Sequence, residues 1–502
     1  MKNLLISILA LTMLSALPIR LMANPGFNWV FASGSTQLEL SLDQAIEMGI
    51  SQNLALKIEK IDPLLRKTYI DTEKARFDPV VSANFSGTER ISKVIFQQGD
   101  LGQNVTNRTD AGISVSRIST SGTLTEFGVS TIRTRSARSD NLFSTRFGVN
   151  IEHPLKQGAG REVNLVSLRK AELDLAWSEY ELTGFVLSLV AEIENRYWEY
   201  YLRNRELEIV QESLKLAQQQ QQETARRIEA GSIPESEAAA AEAEVTLRQV
   251  ELIDAESHAC RSAVSLLRVI NPDTENFWTS MPVIKEEMFS FATASDTLSQ
   301  LIQTALANRP EIDQADLMMQ RDQLEVVSTR NGLLPRLDFF ANLGKTGYAT
   351  SLSGTNPKPG EEGSYDIQAG FVYELTRGRR EAKAEHQRAE LNVKARRQAI
   401  KNLEQLIKQE VINAFIEVNR TRQQILATAA TTEKQKEKLR VEEVKFDVGK
   451  TTAFQVAQAQ RDLTEAMIAE IKAAVEHQQA FTELLRASGQ LLGQRKIFLS
   501  ND

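Results

Sequence analysis

The side chains that do covalent or metal chemistry are few in this chain and badly spaced for it. His153, His258, His386 and His477 are scattered. His258 and Cys260 stand two apart in a helical stretch, so they do not share a face. Cys260 is the only cysteine, which excludes an internal disulfide framework and a cysteine-based metal site. The nine methionines form no ligand cluster, and no nucleophile or acid–base set is visible. We therefore expect no enzyme, no cofactor and no metal. What remains is the chemistry of closure. Phe446, Gln455 and Gln458 lie close to Gly449, and Glu237 lies just past Gly231. An apolar ring closes a pore by excluding water, and neutral amides add hydrogen bonds without charge. If copies of the chain bring these turns into one ring and their face points inward, Phe446, Gln455 and Gln458 line a constriction whose conductance depends little on divalent cations, with Glu237 a further candidate for the aperture.

Long helices must position these residues. Residues 379–448 contain neither Gly nor Pro after Gly378 and before Gly449, and they consist of strong helix formers. Leu403, Leu406, Ile407, Val411, Ala414 and Val418 recur at three- and four-residue steps, which is one apolar stripe of a helix. Such a helix is about 105 Å long. At Gly449 the chain reverses into a second helix, 451–492. Gly suits such a reversal because it adopts the left-handed backbone that other residues resist.

The same plan occurs twice. Ser41-Leu-Asp-Gln44 and Thr297-Leu-Ser-Gln300 both read as capping boxes. Pro79 and Pro335 keep the same offset, and each ends a helix and opens an alternating stretch. Ala171-Glu-Leu173 matches Ala389-Glu-Leu391, and Gly231 matches Gly449, both at a second constant offset. The difference between the offsets places extra residues in the β-rich part of the first copy. The helices fall at about 42–76, 161–230 and 235–270, then 298–332, 379–448 and 451–492, with Gly184 the interruption in 161–230. Residues 24–270 form the first repeat, with strands in 80–155 and a helical hairpin over 161–270. Residues 271–296 are a linker. Residues 297–493 form the second repeat, with strands in 336–376 and a hairpin over 379–492, and 494–502 are a tail.

Four segments alternate. Residues 365–375 place Tyr365, Ile367, Phe371, Tyr373 and Leu375 on one face. Residues 143–155 do so with Phe143, Phe147, Val149 and Ile151, and residues 337–343 with Leu337, Phe339 and Leu343. Residues 80–96 are a weaker fourth, with Val81, Ala83 and Phe85. We expect Phe147, Val149, Ile151, Leu337, Phe339, Ile367, Phe371 and Tyr373 to face lipid. Residues 109–134 alternate less strongly and read as a hairpin extending beyond the bilayer.

Residues 1–23 have the charged start and apolar run of a secretory signal peptide. Beyond them no run of 18 apolar residues occurs, so a membrane crossing would need a closed β-barrel. Four strands per chain do not close, so the barrel must be shared, and three chains would supply twelve strands. The net charge of −7 and pI of about 5.6 leave no footprint for nucleic acid.

Several short motifs, in order, resemble those of the TolC-like outer-membrane efflux protein family. They are Pro154-Leu155 with Gly158, Gly160, Arg161 and Asn164; Asn308-Arg-Pro-Glu-Ile312 with Ala315; Arg330-Asn-Gly-Leu-Leu-Pro335 with Leu337-Asp338; Phe446, Gly449 and Ala459-Gln460; and Gly489-Gln-Leu-Leu492. The resemblance implies a mainly α chain with transmembrane β. It implies a homotrimer whose long α-helical coiled-coil tunnel continues into a shared 12-stranded β-barrel. It places the chain in the outer membrane, reaching into the periplasm. There it would be the passive exit duct of an efflux or type I secretion system, joined to an inner-membrane pump through a periplasmic adaptor (membrane fusion protein). Arg227, Gly231, Lys445 and Gly449 would be the adaptor-contact tips. This chain departs from the family at Glu374-Leu375, where Pro-Leu is common. It also departs at Gln455 and Gln458, where some members carry acids that ring the closed end. The competing reading is a periplasmic structural or adaptor coiled coil, which the duplicated strands count against.

Overall fold

The computed structural model describes residues 36–95, 101–136, 139–272, 277, 280–284, 297–355 and 364–497. The signal-peptide segment and most of the 271–296 linker lie outside them. In chain order the elements are β1 (Thr36–Leu40), α1 (Leu42–Gln52), α2 (Leu54–Glu59), α3 (Ile61–Ala75), β2 (Val80–Ile95), β3 (Leu101–Ile118), β4 (Leu124–Ser136), β5 (Ser139–Pro154), α4 (Arg161–Asn164), α5 (Val166–Glu229) and α6 (Ser236–Ile270). There follow β6 (Ser280–Ile284), α7 (Leu298–Asn308), α8 (Pro310–Gly332), β7 (Arg336–Ala349), a 3-10 turn (Leu352–Thr355), β8 (Ser364–Glu374), α9 (Arg380–Asp447), α10 (Ala453–Ala487) and α11 (Leu491–Gln494). No described helix is long and apolar enough to cross a membrane.

The chain divides into two compact units, Met1–Leu56 with Leu187–Leu301 and Val411–Asp502, and Lys57–Val186 with Ile302–Glu410. The helices form where propensity places them, and local chemistry ends them. Ser41 and Gln44 exchange both bonds of a capping box, at 3.3 and 3.0 Å. Thr297 and Gln300 do the same at 3.4 and 2.9 Å. The expected helix 42–76 is three helices instead of one. Asn53 ends α1, accepting from the Leu56 amide and donating to the Val269 carbonyl, contacts that a continuing helix would forbid. Pro310 opens α8 at its first turn, where its missing N–H costs nothing. Gly184 does not interrupt α5: the long helix continues through it, with Pro310 3.6 Å from where a Cβ would stand.

The first unit is built on the apolar stripes of α5, α6 and α10. Ile193, Tyr197, Tyr200, Leu266, Leu267 and Leu484 are fully buried. Gly49 of α1 has no room for a Cβ against Ile193, so glycine is what lets α1 approach α5. The short parallel pair β1–β6, which periodicity did not announce, is held by these same aromatics. Tyr200 donates to the Pro282 carbonyl at 2.6 Å, and burial pushes its phenol up to about 12. Glu194 is buried and accepts from Thr482 at 2.6 Å and Arg495 at 2.7 Å, which compensates its charge. Along α9, Ile407, Val411, Ala414 and Val418 are buried as the stripe requires, but Leu406 is half exposed.

The second unit contains an antiparallel sheet of order β2-β3-β4-β5-β7-β8. This corrects the expectation of four strands and, with it, the arithmetic that led to twelve. Residues 109–134 are not an extension; they belong to β3 and β4, which are paired along their length between β2 and β5. Their apolar content is low because their upper ends are polar, not because they leave the sheet. The turn between them is anchored. The Gly160 amide donates to the Ser121 carbonyl at 3.2 Å, and Thr123 Oγ1 lies 2.8 Å from His153 Nδ1.

His477 of α10 is buried against Thr421 of α9, with Nδ1 and Oγ1 3.0 Å apart. Burial first, and then the Arg422 charge, hold its pKa below the ordinary 6.5. The folded state therefore binds this proton less readily than the unfolded chain. The stabilisation is complete above about pH 6.5 and is lost as pH falls through the folded value. Thermal midpoints should fall on acidification from about pH 7 to about pH 5, and His477→Gln should flatten that dependence.

Candidate functional site

Both helical hairpins reverse through the same backbone device. Gly231 and Gly449 each have φ of +71°. The Gly231 amide donates to the Ile228 carbonyl and Ser232 to Arg227, at 2.9 and 2.8 Å. The Gly449 amide donates to Phe446 and Lys450 to Lys445, at 3.0 and 2.8 Å. These are Schellman closures, in which a left-handed residue satisfies the last free carbonyls of a helix. Thr452 caps α10 by accepting from the Gln455 amide.

Arg227 ties the two tips together. Its guanidinium donates to Glu223 at 2.8 Å, to Asp447 at 2.9 Å and to the Phe446 carbonyl at 3.3 Å. It also lies 4.7 Å from the centre of the Phe446 ring. That ring is only 7% exposed and packs with Leu439, Ala453, Val456 and Ala459. This corrects the expectation that Phe446 lines an aperture: its ring fills the inside of its own hairpin and is covered by a cation. The sequence could not separate the two roles, because helical spacing places Phe446 near the turn without saying which side of the hairpin it faces.

The other expected residues remain at the surface. Gln455 and Gln458 are exposed, and Glu237 is half-buried. Gln458 donates to Asp462 at 2.8 Å, and Lys438 pairs with the same carboxylate at 2.5 Å. The Lys438 bond, followed by that of Gln458, holds Asp462 below the ordinary carboxylate range. Lys445 is exposed but pairs with Glu442 at 2.7 Å, which lowers the Glu442 pKa in the same way. Lys438, Glu442, Lys445, Gln455 and Gln458 line an open groove of about 550 Å³ between α9 and α10, together with Phe454. Sequence reasoning missed Asp462, one turn beyond Gln458, and the exposed apolar trio Val444, Val448 and Phe454 around the second tip.

In the sheet, the eight residues expected on one apolar face do share a face. Val149 is opposite Leu343, which is opposite Ile367; Ile151 is opposite Ala341; Phe339 and Phe371 are paired with rings 5.5 Å apart; and Leu337 is opposite Tyr373. The other face is polar and ion-paired. Arg146 of β5 reaches Asp366 of β8 across β7, where Gly344 leaves the space for its guanidinium. Arg336 pairs with Glu152 and Asp338, and Asn150 donates to Glu126.

A family model described as outer membrane efflux protein matches residues 109–271 and 301–490. The chain belongs to the outer membrane efflux protein family. It is therefore a TolC-like protein of the outer membrane that extends into the periplasm. No curated protein matches its sequence. Among solved structures, the outer-membrane channel OprN is similar, with 16% identity, a TM-score of 0.67 and 89% of each chain covered. The CmeC outer membrane channel of Campylobacter jejuni is 15% identical, with a TM-score of 0.65 over 90% of this chain and 86% of that one. The open state of the MtrE outer membrane channel of Neisseria gonorrhoeae is 16% identical, with a TM-score of 0.62 over 90% and 89%. At this identity the likeness establishes the fold.

Arg227→Ala removes three hydrogen bonds and a cation–π contact worth about 0.5–2 kcal/mol. Amide exchange at 228–232 and 446–450 should quicken by about tenfold, and hydrogen-exchange mass spectrometry on the intact protein checks this.

Proposed function

We propose that this chain is one of three protomers of a passive efflux duct. In this reading an inner-membrane pump supplies the work and a periplasmic adaptor joins it to the tips. The observation that carries the proposal is the sheet of the second unit. One face is apolar, the other is polar and ion-paired, and β2 and β8 each have a neighbour on one side only among the described residues. Lipid does not tolerate an unpaired strand edge, so such a sheet needs copies of itself to close. Three copies agree with the trimer that the family resemblance implies. The apolar face carrying Phe147, Val149, Ile151, Leu337, Phe339, Ile367, Phe371 and Tyr373 then meets lipid.

At the other functional level, Gly231 and Gly449 give the tips their blunt exposed turns. Lys445, with Val444, Val448 and Phe454, offers a mixed surface suited to an adaptor. Arg227 supports that surface from within, since its donors are already engaged. Gln455, Gln458 and Glu237 are the aperture residues of this reading. Asp462 accepts from Gln458 and is paired with Lys438, so the second tip has little to offer a metal cation.

Phe371→Arg should cost about 2–4 kcal/mol at the bilayer midplane. It should reduce the yield of a detergent-extracted, heat-modifiable trimer; a wild-type chain that purified as a water-soluble monomer would overturn the proposal. In planar bilayers the wild-type conductance should be insensitive to millimolar divalent cations added at the tip side. Lys438→Ala should uncover Asp462 and introduce a reversible block. Strong block of the wild type would show that a carboxylate ring, and not the amides, governs the aperture.

A further inference from the structure

The geometry points to an eighteen-stranded barrel, half again as wide as twelve strands allow, into which the β3–β4 hairpin is spliced as a full member of the wall. The inference rests on the trimer proposed above and concerns what each protomer contributes to it. Six strands from each of three copies make eighteen.

Three independent features make the hairpin part of the wall. The first is pairing. β3 pairs with β2 from Val80↔Ser116 to Ile95↔Leu101, and β4 pairs with β5 from Leu124↔Glu152 to Ser136↔Ser139. β5 has β4 on one side and β7 on the other, so it has no edge left for β2.

The second feature is the apolar belt. Following the register from strand to strand gives one unbroken row: Val81, Val115, Phe127, Val149, Leu343 and Ile367. The row includes one residue from each strand, and the hairpin's two members are as apolar as the rest. On either side of the row the belt extends toward Phe85 on β2 but toward Tyr373 on β8. A belt level with a membrane must cross tilted strands obliquely, so this drift is what a closed, sheared barrel requires. A hairpin lying outside the bilayer would have no reason to carry apolar residues at the belt's level.

The third feature is parity. Inserting two strands leaves β2 and β8 running in opposite directions, so the β8 edge of one copy can pair antiparallel with the β2 edge of the next. An insertion of one or three strands would not permit this.

The width follows from strand geometry. With strands about 4.8 Å apart and tilted by about 40°, twelve strands enclose a backbone ring about 24 Å across, and eighteen a ring about 36 Å across. Rings of 16–18 strands leave an aqueous channel, whereas small ones are filled by their own side chains. The polar face that would line it holds ion-paired groups, Arg146 with Asp366, Arg336 with Glu152 and Asp338, and Arg108 with Asp110. A channel of this width admits bulky solutes, selected first by size.

Disulfide mapping in isolated outer membranes tests the splice, in a Cys260→Ala background. Ser82→Cys with Ser114→Cys, and Glu126→Cys with Asn150→Cys, should each cross-link within one chain. Ser82→Cys with Gly148→Cys should not. Cross-linking of that last pair, with the first two silent, would mean that β2 meets β5 directly and would overturn the inference. Electron microscopy of the detergent-solubilised wild type should show a trimer whose barrel is about 36 Å across the backbone, shrinking to about 24 Å when Leu101–Ser136 is deleted. A trimer with the narrow ring in the wild type defeats the inference alone. An assembly of another order defeats the trimer reading, and the eighteen-strand count with it.

Discussion

A backbone amide inside a bilayer has no water to turn to, and the sheet of this protein is organised by that fact. Its four interior strands have a neighbour on both sides within the chain, while among the described residues β2 and β8 keep one open edge each. Such edges drive aggregation in water and cannot persist in lipid. In the proposed duct another copy of the same chain supplies their partners, which is why we place the unit of function above the single protomer. The polarity of the two faces follows from the same constraint. One face carries the apolar row, whereas the other holds Arg146 with Asp366 and Arg336 with Glu152 in ion pairs.

The tips solve a related problem in water. Two antiparallel helices must reverse in a few residues without leaving carbonyls unsatisfied, and the left-handed glycines at 231 and 449 do this identically. The turns themselves are exposed and make few contacts, so their rigidity has to come from neighbours. Arg227 provides it by joining the first tip to the second through Asp447 and the Phe446 ring. Burial of Phe446 at the base of the turn leaves the amides of Gln455 and Gln458 as the outward chemistry. The acid bonded to Gln458, Asp462, is already held by Lys438.

Much of this was legible in the residues. Glycine and proline mark where helices end, since no other residue types tolerate those backbone positions as well, and the long helices lie within a few residues of the spans read from composition. Alternation correctly grouped Phe147, Val149, Ile151, Leu337, Phe339, Ile367, Phe371 and Tyr373 on one face, because side-chain direction in a strand has a period of two whatever its neighbours are. The placement of Gln455 and Gln458 near the turn at Gly449 was also plain.

Other features depended on partners distant in sequence. Period two tells which face a residue occupies but not which strand lies beside it, so residues 109–134 looked like an appendage until their pairing with β2 and β5 was seen. The parallel pair β1–β6 joins the start of the first repeat to the linker that follows it, and short runs carry no signal of such pairing. Helical spacing brought Phe446 close to the turn, but only packing against Ala453, Val456 and Arg227 decided that it faces inward. The sequence by itself determined the elements, their turns and the polarity of each face, because these follow from local backbone preference and side-chain direction. The tertiary structure decided how many strands stand side by side and which tip residues remain exposed, because neighbours across the chain are chosen by pairing and packing.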